Sequence, residues 1–251
     1  MKNPFFTIVT AVLNGEKYIE ETINSIKNQS FKNFQYIIVD GRSADNTHKI
    51  INKYKKYISK IIISKDKTMY EALAKGFYYA KGKYYLWINS DDYLFNKNSL
   101  KNLYKLLKKN PYHWIVGRTV IQQKEIIKNY IPLIYPRFIL KNGLAHNCAW
   151  GFVQQENTVF SSELYKKSLG INIQLKQAGD FYLWKDFANY EKLKSINISI
   201  AVQRKWENQM TQRDKNTYYI ELKKKKCILN IFYSLRIIYS LILFPMIFFR
   251  K

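Results

Sequence analysis

Up to residue 92 the chain switches repeatedly between short apolar runs and segments whose apolar residues recur at helical spacing. Phe5–Val12 reads as a strand, and Glu16–Asn28 as a helix with Ile19, Ile23 and Ile26 on one side. Phe34–Val39 predicts a second strand, and Asp45–Tyr54 a helix opening at an Asp cap. Ile58–Ser64, Thr68–Ala80 and Tyr84–Ile88 continue as strand, helix and strand. This alternation predicts an α/β fold, a mostly parallel sheet with helices on its faces. Right-handed crossovers then bring every strand-to-helix loop to one rim, where such sheets bind ligands.

That rim collects acids. Asp40 ends the second strand, Asp66 follows the third, and Asn89-Ser90-Asp91-Asp92 follows the fourth, so four of the chain's eight aspartates fall there. Asp caps helices and favours turns in any protein, which accounts for Asp45 and leaves a polar turn as the plain alternative for the rest. Two adjacent carboxylates, however, concentrate negative charge that a cation or a donor network must offset. Mg²⁺ and Mn²⁺ suit such a site, because they take one or two carboxylates together with phosphate oxygens. No Gly-x-Gly-x-x-Gly follows the first strand and no Gly-x-x-x-x-Gly-Lys-Ser/Thr occurs anywhere. A diphosphate on this rim would therefore be neutralised by a metal on carboxylates, not by a glycine cradle.

Composition narrows the partners. The 251 residues suffice for one large domain, or one with an appendage, and 47% hydrophobic and 16% aromatic content supports a substantial core. Lys and Arg number 42 against 18 Asp and Glu, and the net charge of +24 calls for nucleic acid, an acidic membrane leaflet or a phosphate-bearing substrate. Cys148 and Cys227 show no metal-ligand spacing, and His48, His113 and His146 are scattered, which argues against zinc and suits a reducing compartment. The apolar run Phe5–Leu13 has only Lys2 before it and Asn14-Gly15-Glu16 where a cleavage site would stand, so it reads as a strand, not a signal peptide. A cytoplasmic location follows as the expectation.

The last 48 residues, 204–251, carry 11 Lys and Arg against 3 Asp and Glu. Within them Lys223–Lys226 precedes Cys227–Phe249, mostly apolar, with Arg236 near its middle and Asn230, Ser234 and Ser240 on the same helical side. This predicts an interfacial amphipathic helix drawn to anionic lipid, peripheral to the inner face of the membrane. A transmembrane span is disfavoured by the central charge. A helix packed on the domain, or on a second copy to make a homo-oligomer, is the other alternative.

Several blocks together resemble glycosyltransferase family 2, the inverting enzymes with a GT-A fold, of the kind that assemble bacterial surface polysaccharides. Thr7–Asn14 looks like the family's opening strand, Tyr18–Ile26 its first helix, and Tyr36–Thr47 its nucleotide-binding strand and loop. Ser64–Lys67 with Met69–Ala72 resembles the next block, and Asn89–Asp92 the DxD-type element. Gln154–Thr158 and Ala178–Trp184 look like acceptor-side blocks, and the likeness spans about residues 5–212. The resemblance implies a GT-A domain over 1–212, with a nucleotide-sugar-binding half at 1–95 and an acceptor-binding half at 96–212, followed by a basic, apolar tail at 213–251.

Carried over by position, the resemblance implies a nucleotide-sugar site at Thr10, Asn14, Asp40, Asp66 and Asp91, with Asp40 at the base and Asp91 near ribose and diphosphate. It implies Asp92 as ligand to Mn²⁺ or Mg²⁺ and Asp180 as catalytic base, although Gly179-Asp180 before Phe181–Tyr190 also reads as a helix cap. The expected donor is a UDP-sugar and the expected acceptor a glycan or lipid-linked hydroxyl. Departures are Glu71 for a usual Asp, Ala74 for a common Asn, Gln154-Gln155 for His-Gln, and the loose Gln209–Gln212 loop. Two competing readings remain. A catalytically inactive GT-A scaffold would fold but release no nucleotide, and a nucleic-acid-binding protein would explain the charge but not the acidic rim. No nucleic-acid partner is therefore expected.

Overall fold

A computed structural model of the chain describes residues 3–146, 150–207, 209 and 214–222. The proposed membrane segment Cys227–Phe249 and Cys148 lie outside the described residues. Eleven strands and eight helices are described, and a seven-stranded sheet organises them. Its first four strands are β1 (Phe6–Val12), β2 (Phe34–Asp40), β3 (Lys60–Ile63) and β4 (Tyr84–Trp87). They alternate with α1 (Ile19–Lys27), α2 (Thr47–Lys53) and α3 (Met69–Tyr78). Then come β5 (Tyr93–Leu94), α4 (Ser99–Lys109), β6 (Trp114–Val116), β7 (Val120–Gln123), β8 (Ile126–Asn129) and α5 (Arg137–Lys141). The rest are β9 (Thr158–Ser161), α6 (Ser162–Lys167), α7 (Gly179–Phe187), β10 (Lys194–Ser195), β11 (Ala201–Lys205) and α8 (Lys215–Glu221).

The main sheet runs β10-β6-β9-β4-β1-β2-β3. β1 pairs in parallel with β2 and β4, and β2 with β3, as the alternation predicts. β9 enters antiparallel between β4 and β6. The chain beyond residue 95 thus completes the sheet begun by the first half. A smaller sheet, β5-β11-β7-β8, sits beside it.

Both faces of the main sheet are covered, so its strands are apolar on both sides. The strand period of two sorts them cleanly. Val9, Ile37, Val39, Tyr85 and Trp87 join a core built with α3, α5 and α7. Phe6, Ile8, Tyr36, Ile38 and Leu86 join the opposite core with α1, α2 and α4. Helix α1 starts at Ile19, later than Glu16, because Gly15–Tyr18 close a turn through a Tyr18 N–H to Gly15 carbonyl bond of 3.0 Å. Helix α3 is opened by Thr68, whose hydroxyl accepts from the Glu71 N–H at 3.1 Å, while the Glu71 carboxylate accepts from the Lys67 N–H at 2.8 Å. Glu71 at this position is thus part of a reciprocal cap.

Gly82, just before β4, permits a close approach of two chain segments. A Cβ there would lie 2.5 Å from the Thr7 nitrogen and 2.6 Å from the Phe6 carbonyl carbon, both backbone. Gly82→Ala is therefore expected to pry β4 from β1 and cost about 1–3 kcal/mol. Urea unfolding measures this, and a change within error of zero would show that the two strands shift freely.

Candidate active site

The acids predicted for the rim, together with Asp180, fall into three groups. Asp40, at the end of β2, is buried; it accepts from the Ser43 N–H at 2.9 Å and the Ser43 hydroxyl at 2.7 Å, with His48 Nδ1 at 3.7 Å. Asn14 has a positive φ of 52°, tolerable for Asn in a left-handed turn. Its amide oxygen accepts from the Ala44 N–H at 2.8 Å and its N–H donates to the Ser43 hydroxyl at 2.9 Å. Asn14 and Asp40 thereby fix the loops after β1 and β2 against each other. Asp66 pairs with Lys75 and accepts from the Ser64 hydroxyl at 2.8 Å. Lys75 also meets Glu71 at 3.2 Å. Thr10 lies elsewhere than the sequence suggests: it is fully buried, and its hydroxyl accepts from Tyr36 OH at 3.3 Å. Its side chain supports the sheet from within the core and does not line the rim.

The second group follows β4. Asp91 is partly exposed, and its Oδ2 accepts from Trp206 Nε1 at 2.8 Å and Gln209 Nε2 at 3.3 Å. Among the described residues no donor reaches its other oxygen. Asp92 behaves differently. It is 0% exposed, its Oδ1 accepts from the Arg204 N–H at 2.8 Å, and its Oδ2 accepts from Asn89 Nδ2 at 2.9 Å. Its carbonyl accepts from the Thr22 hydroxyl at 2.7 Å. Asp92 thus ties β11 and α1 to the end of β4. The open carboxylate of the pair is Asp91, not Asp92.

Glu156, in the turn Gln155–Asn157, is a member that sequence reading left without a role. It is buried, and Asn89 Nδ2 lies between its Oε1, at 3.5 Å, and Asp92. Burial, then the charges of Asp180 and Asp91, pushes the Glu156 carboxyl up to about 7. Burial also raises Asp92 well above the usual carboxylate range, with Glu156 and Asp91 adding repulsion. Such close acids resist ionising together. The sequence held a signal for Glu156: an acid inside the Gln154–Thr158 block of an acid-poor chain. Trp206 gave no comparable signal, because a lone Trp after a strand has many uses.

Asp180 forms the third group, in the first turn of α7. Its Oδ1 accepts from the Phe181 N–H at 2.8 Å and from Tyr70 OH at 3.4 Å. Gly179 lets the Tyr70 ring lie against the helix start, since a Cβ there would sit 2.7 Å from three ring atoms. Burial pushes the Asp180 carboxyl up to about 6, and its two donors pull it partly back. The cap role foreseen as the alternative is met only locally, by its neighbour's N–H. The Asp180 charge is felt at Glu156, and Glu156 is bridged to Asp92 through Asn89, so the end of β4 and the start of α7 bring their acids into one cluster. Among the described residues no group of three or more His, Cys, Asp or Glu is arranged to hold a metal by itself.

Known proteins resemble this chain in sequence and in fold. The model of the family described as Glycosyl transferase family 2 matches residues 7–169. An uncharacterized glycosyltransferase of Rickettsia typhi is 27% identical over 197 residues, 74% of this chain and 59% of that protein. The poly(ribitol-phosphate) beta-N-acetylglucosaminyltransferase TarS of Staphylococcus aureus is 33% identical over 103 residues, 39% of this chain and only 18% of TarS. This chain thus spans less than two thirds of either relative. Among solved structures, TarS 1-349 in complex with UDP-GlcNAc has a TM-score of 0.70 at 19% identity, covering 86% of this chain and 63% of that one. The mannosyltransferase PcManGT of Pyrobaculum calidifontis, in complex with GDP-Man and Mn²⁺, has a TM-score of 0.64 at 15% identity, covering 91% and 67%. At these identities the two structures speak for the GT-A fold alone. With its parallel strands, its acidic rim and a family match over more than half its length, the chain belongs to glycosyl transferase family 2.

Proposed function

We propose that this chain is an inverting glycosyltransferase that moves a sugar from a nucleoside-diphosphate donor, a UDP-sugar, to a hydroxyl of a glycan or lipid-linked acceptor in surface polysaccharide or glycolipid assembly. The observation that carries the reading is Asp180, a half-buried carboxyl pushed to about 6 whose charge, like that of Asp91, acts on Glu156. At neutral pH it is largely ionised yet still basic enough to take a proton, the poise that general-base catalysis favours. The acceptor hydroxyl gives its proton to Asp180, its oxygen bonds to the anomeric carbon, and the carbon–oxygen bond to the diphosphate breaks. One attack on one face inverts the centre, and no carboxylate nucleophile is needed. Binding of UDP-GlcNAc by the TarS structure supports the choice of donor nucleotide, and the basic, apolar tail of the sequence supports a membrane-linked acceptor.

A hard divalent cation fits the donor set at Asp91: a partly exposed carboxylate with one oxygen not engaged among the described residues. When bound, Mn²⁺ or Mg²⁺ would offset the charge that gathers on the departing diphosphate. Asp92, engaged on both oxygens, holds the Asp91 turn from below. This moves the cation from Asp92, where the resemblance placed it, to Asp91.

The deciding experiment is release of nucleoside diphosphate from UDP-GlcNAc, UDP-glucose, GDP-mannose and dTDP-glucose, each with and without Mn²⁺. Cation-dependent release from a UDP-sugar is expected. A folded chain that releases nucleotide from none of them would be an inactive scaffold. Thermal melting tests the cation site separately. A ligand at a hundred times its Kd stabilises by about 2.7 kcal/mol. Adding Mn²⁺ to UDP should therefore raise the melting temperature of the natural chain, and Asp91→Asn should lose most of that increment. An unchanged increment would move the cation away from Asp91.

A further inference from the structure

We infer that Glu221, from the C-terminal segment, is a positioning residue for Asp180: it grips the backbone that leads into α7 and so fixes the carboxylate in its first turn. The inference rests on the reading of Asp180 as the base. Helix α7 begins badly by its own sequence, since the capping position is Ala178, which has no side chain to accept a hydrogen bond. Glu221 supplies acceptors from outside. Its Oε1 accepts from the Lys176 N–H at 2.6 Å, and its Oε2 accepts from the Gln177 and Ala178 N–H groups, each at 2.9 Å. Three consecutive N–H groups closing on one carboxylate form an anion nest, here filled by the protein itself.

Other contacts fasten the same junction. Tyr182 OH donates to the Glu221 carbonyl at 2.9 Å, and Gln177 Nε2 donates to the Asp214 carbonyl at 2.7 Å. Leu222 is buried with Ala178 and Phe181. Helix α8 has seven residues, too short to persist alone even with Asp214 accepting from the Asn216 and Thr217 N–H groups. Its place is therefore set by docking against α7. The grip then reaches Asp180 by a short path. The Gln177 carbonyl accepts from Tyr70 OH at 2.9 Å, and the same hydroxyl lies 3.4 Å from Asp180 Oδ1. Moving residues 176–178 shifts both the carboxylate and its hydroxyl partner.

Glu221 is also a charge near the base. Among the described residues the groups facing Asp180 are Tyr70 from α3, Glu156 from the turn Gln155–Asn157, and Glu221 from α8. Glu221 adds to the upward push on Asp180, after burial. Removing its charge should therefore let Asp180 ionise at lower pH.

The test is steady-state kinetics on the full chain, with nucleotide release from UDP-GlcNAc, or from whichever donor of the panel the natural chain turns over. Glu221→Ala should lower kcat by about 10–100-fold with donor KM little changed, since misplacing a catalytic group by 1 Å costs about that much. Glu221→Gln, which keeps an acceptor and loses the charge, should lose less and move the acid limb of kcat/KM to lower pH. A residue that only stabilises the fold would reduce active protein without moving that limb. If Glu221→Ala fails to fold, Glu221→Gln decides alone. Wild-type kcat and an unmoved acid limb in Glu221→Gln, beside an inactive Asp180→Asn, overturn the positioning role and leave the base assignment standing. An active Asp180→Asn removes the base itself and the inference with it.

Discussion

Asp180→Asn is expected to slow sugar transfer by about 10²–10⁴-fold, the usual worth of a positioned general base, with UDP affinity unchanged. The amide is nearly isosteric and its oxygen can still accept from the Phe181 N–H, so the start of α7 should stay in place. Only the proton acceptor is lost. In the natural chain the rate should fall as pH drops through about 6, because burial lifts the Asp180 carboxyl to that value and its neutral form cannot take a proton. The Asn variant should lack that limb in whatever slow rate it retains. Stability should move the opposite way. A carboxyl raised above its unfolded value of 3.8 favours the native state when protonated, and that contribution is lost as pH rises through about 6. At pH 8 Asp180→Asn should therefore melt higher than the natural chain, the usual exchange of stability for a strained functional group. Pre-steady-state transfer assays and melting curves at pH 5 and 8 test both halves. A rate within threefold of the natural one would remove Asp180 from the chemistry, threefold being about 0.65 kcal/mol in the barrier.

The first half of this fold is legible because its central strands are buried on both faces and each helix on one, so the hydrophobic period changes at most boundaries. Ile19, Ile23 and Ile26 mark α1, and the apolar runs at β1, β2 and β4 mark the sheet centre. Past residue 95 the signal weakens. β6, β9 and β10 are two to four residues long, and their partners lie far away in sequence. No local period can reveal that β9 slots antiparallel between β4 and β6. The site shows the same division. Acids at strand ends mark the rim, but which of two adjacent carboxylates is open depends on an Arg204 N–H and an Asn89 amide, both tertiary contacts. Thr10 is likewise one residue type on a strand whose inward side is fixed by partners such as Tyr36. Glu221 sits in a short segment whose meaning appears only when it meets the unfilled cap of α7.

The largest loss of stability is expected from Trp184→Ala, on the helix that carries Asp180. The indole is 3% exposed and stacks between Trp87, at 5.7 Å and 12°, and Trp114, at 5.8 Å and 30°. Phe160 and Phe187 close the cluster at 5.9 and 5.6 Å. Removing a buried Trp from such packing costs about 3–5 kcal/mol, through lost contacts and the cavity left behind. A second substitution separates packing from polarity. Trp184 Nε1 is buried without a hydrogen-bond partner among the described residues, as are those of Trp87 and Trp114. Phe at this position keeps a ring in the stack and removes an unsatisfied donor, which itself costs about 1–3 kcal/mol when buried. Trp184→Phe should therefore lose much less than Trp184→Ala. Because Trp184 lies one turn beyond Asp180, a loosened α7 should also lower kcat in the Ala variant more than it weakens UDP binding. Urea unfolding and UDP titration of the two variants test this. Equal losses for Phe and Ala would mean that the indole N–H is satisfied after all, and a loss near zero for Ala would mean that α7 is held by its ends and not by its buried face.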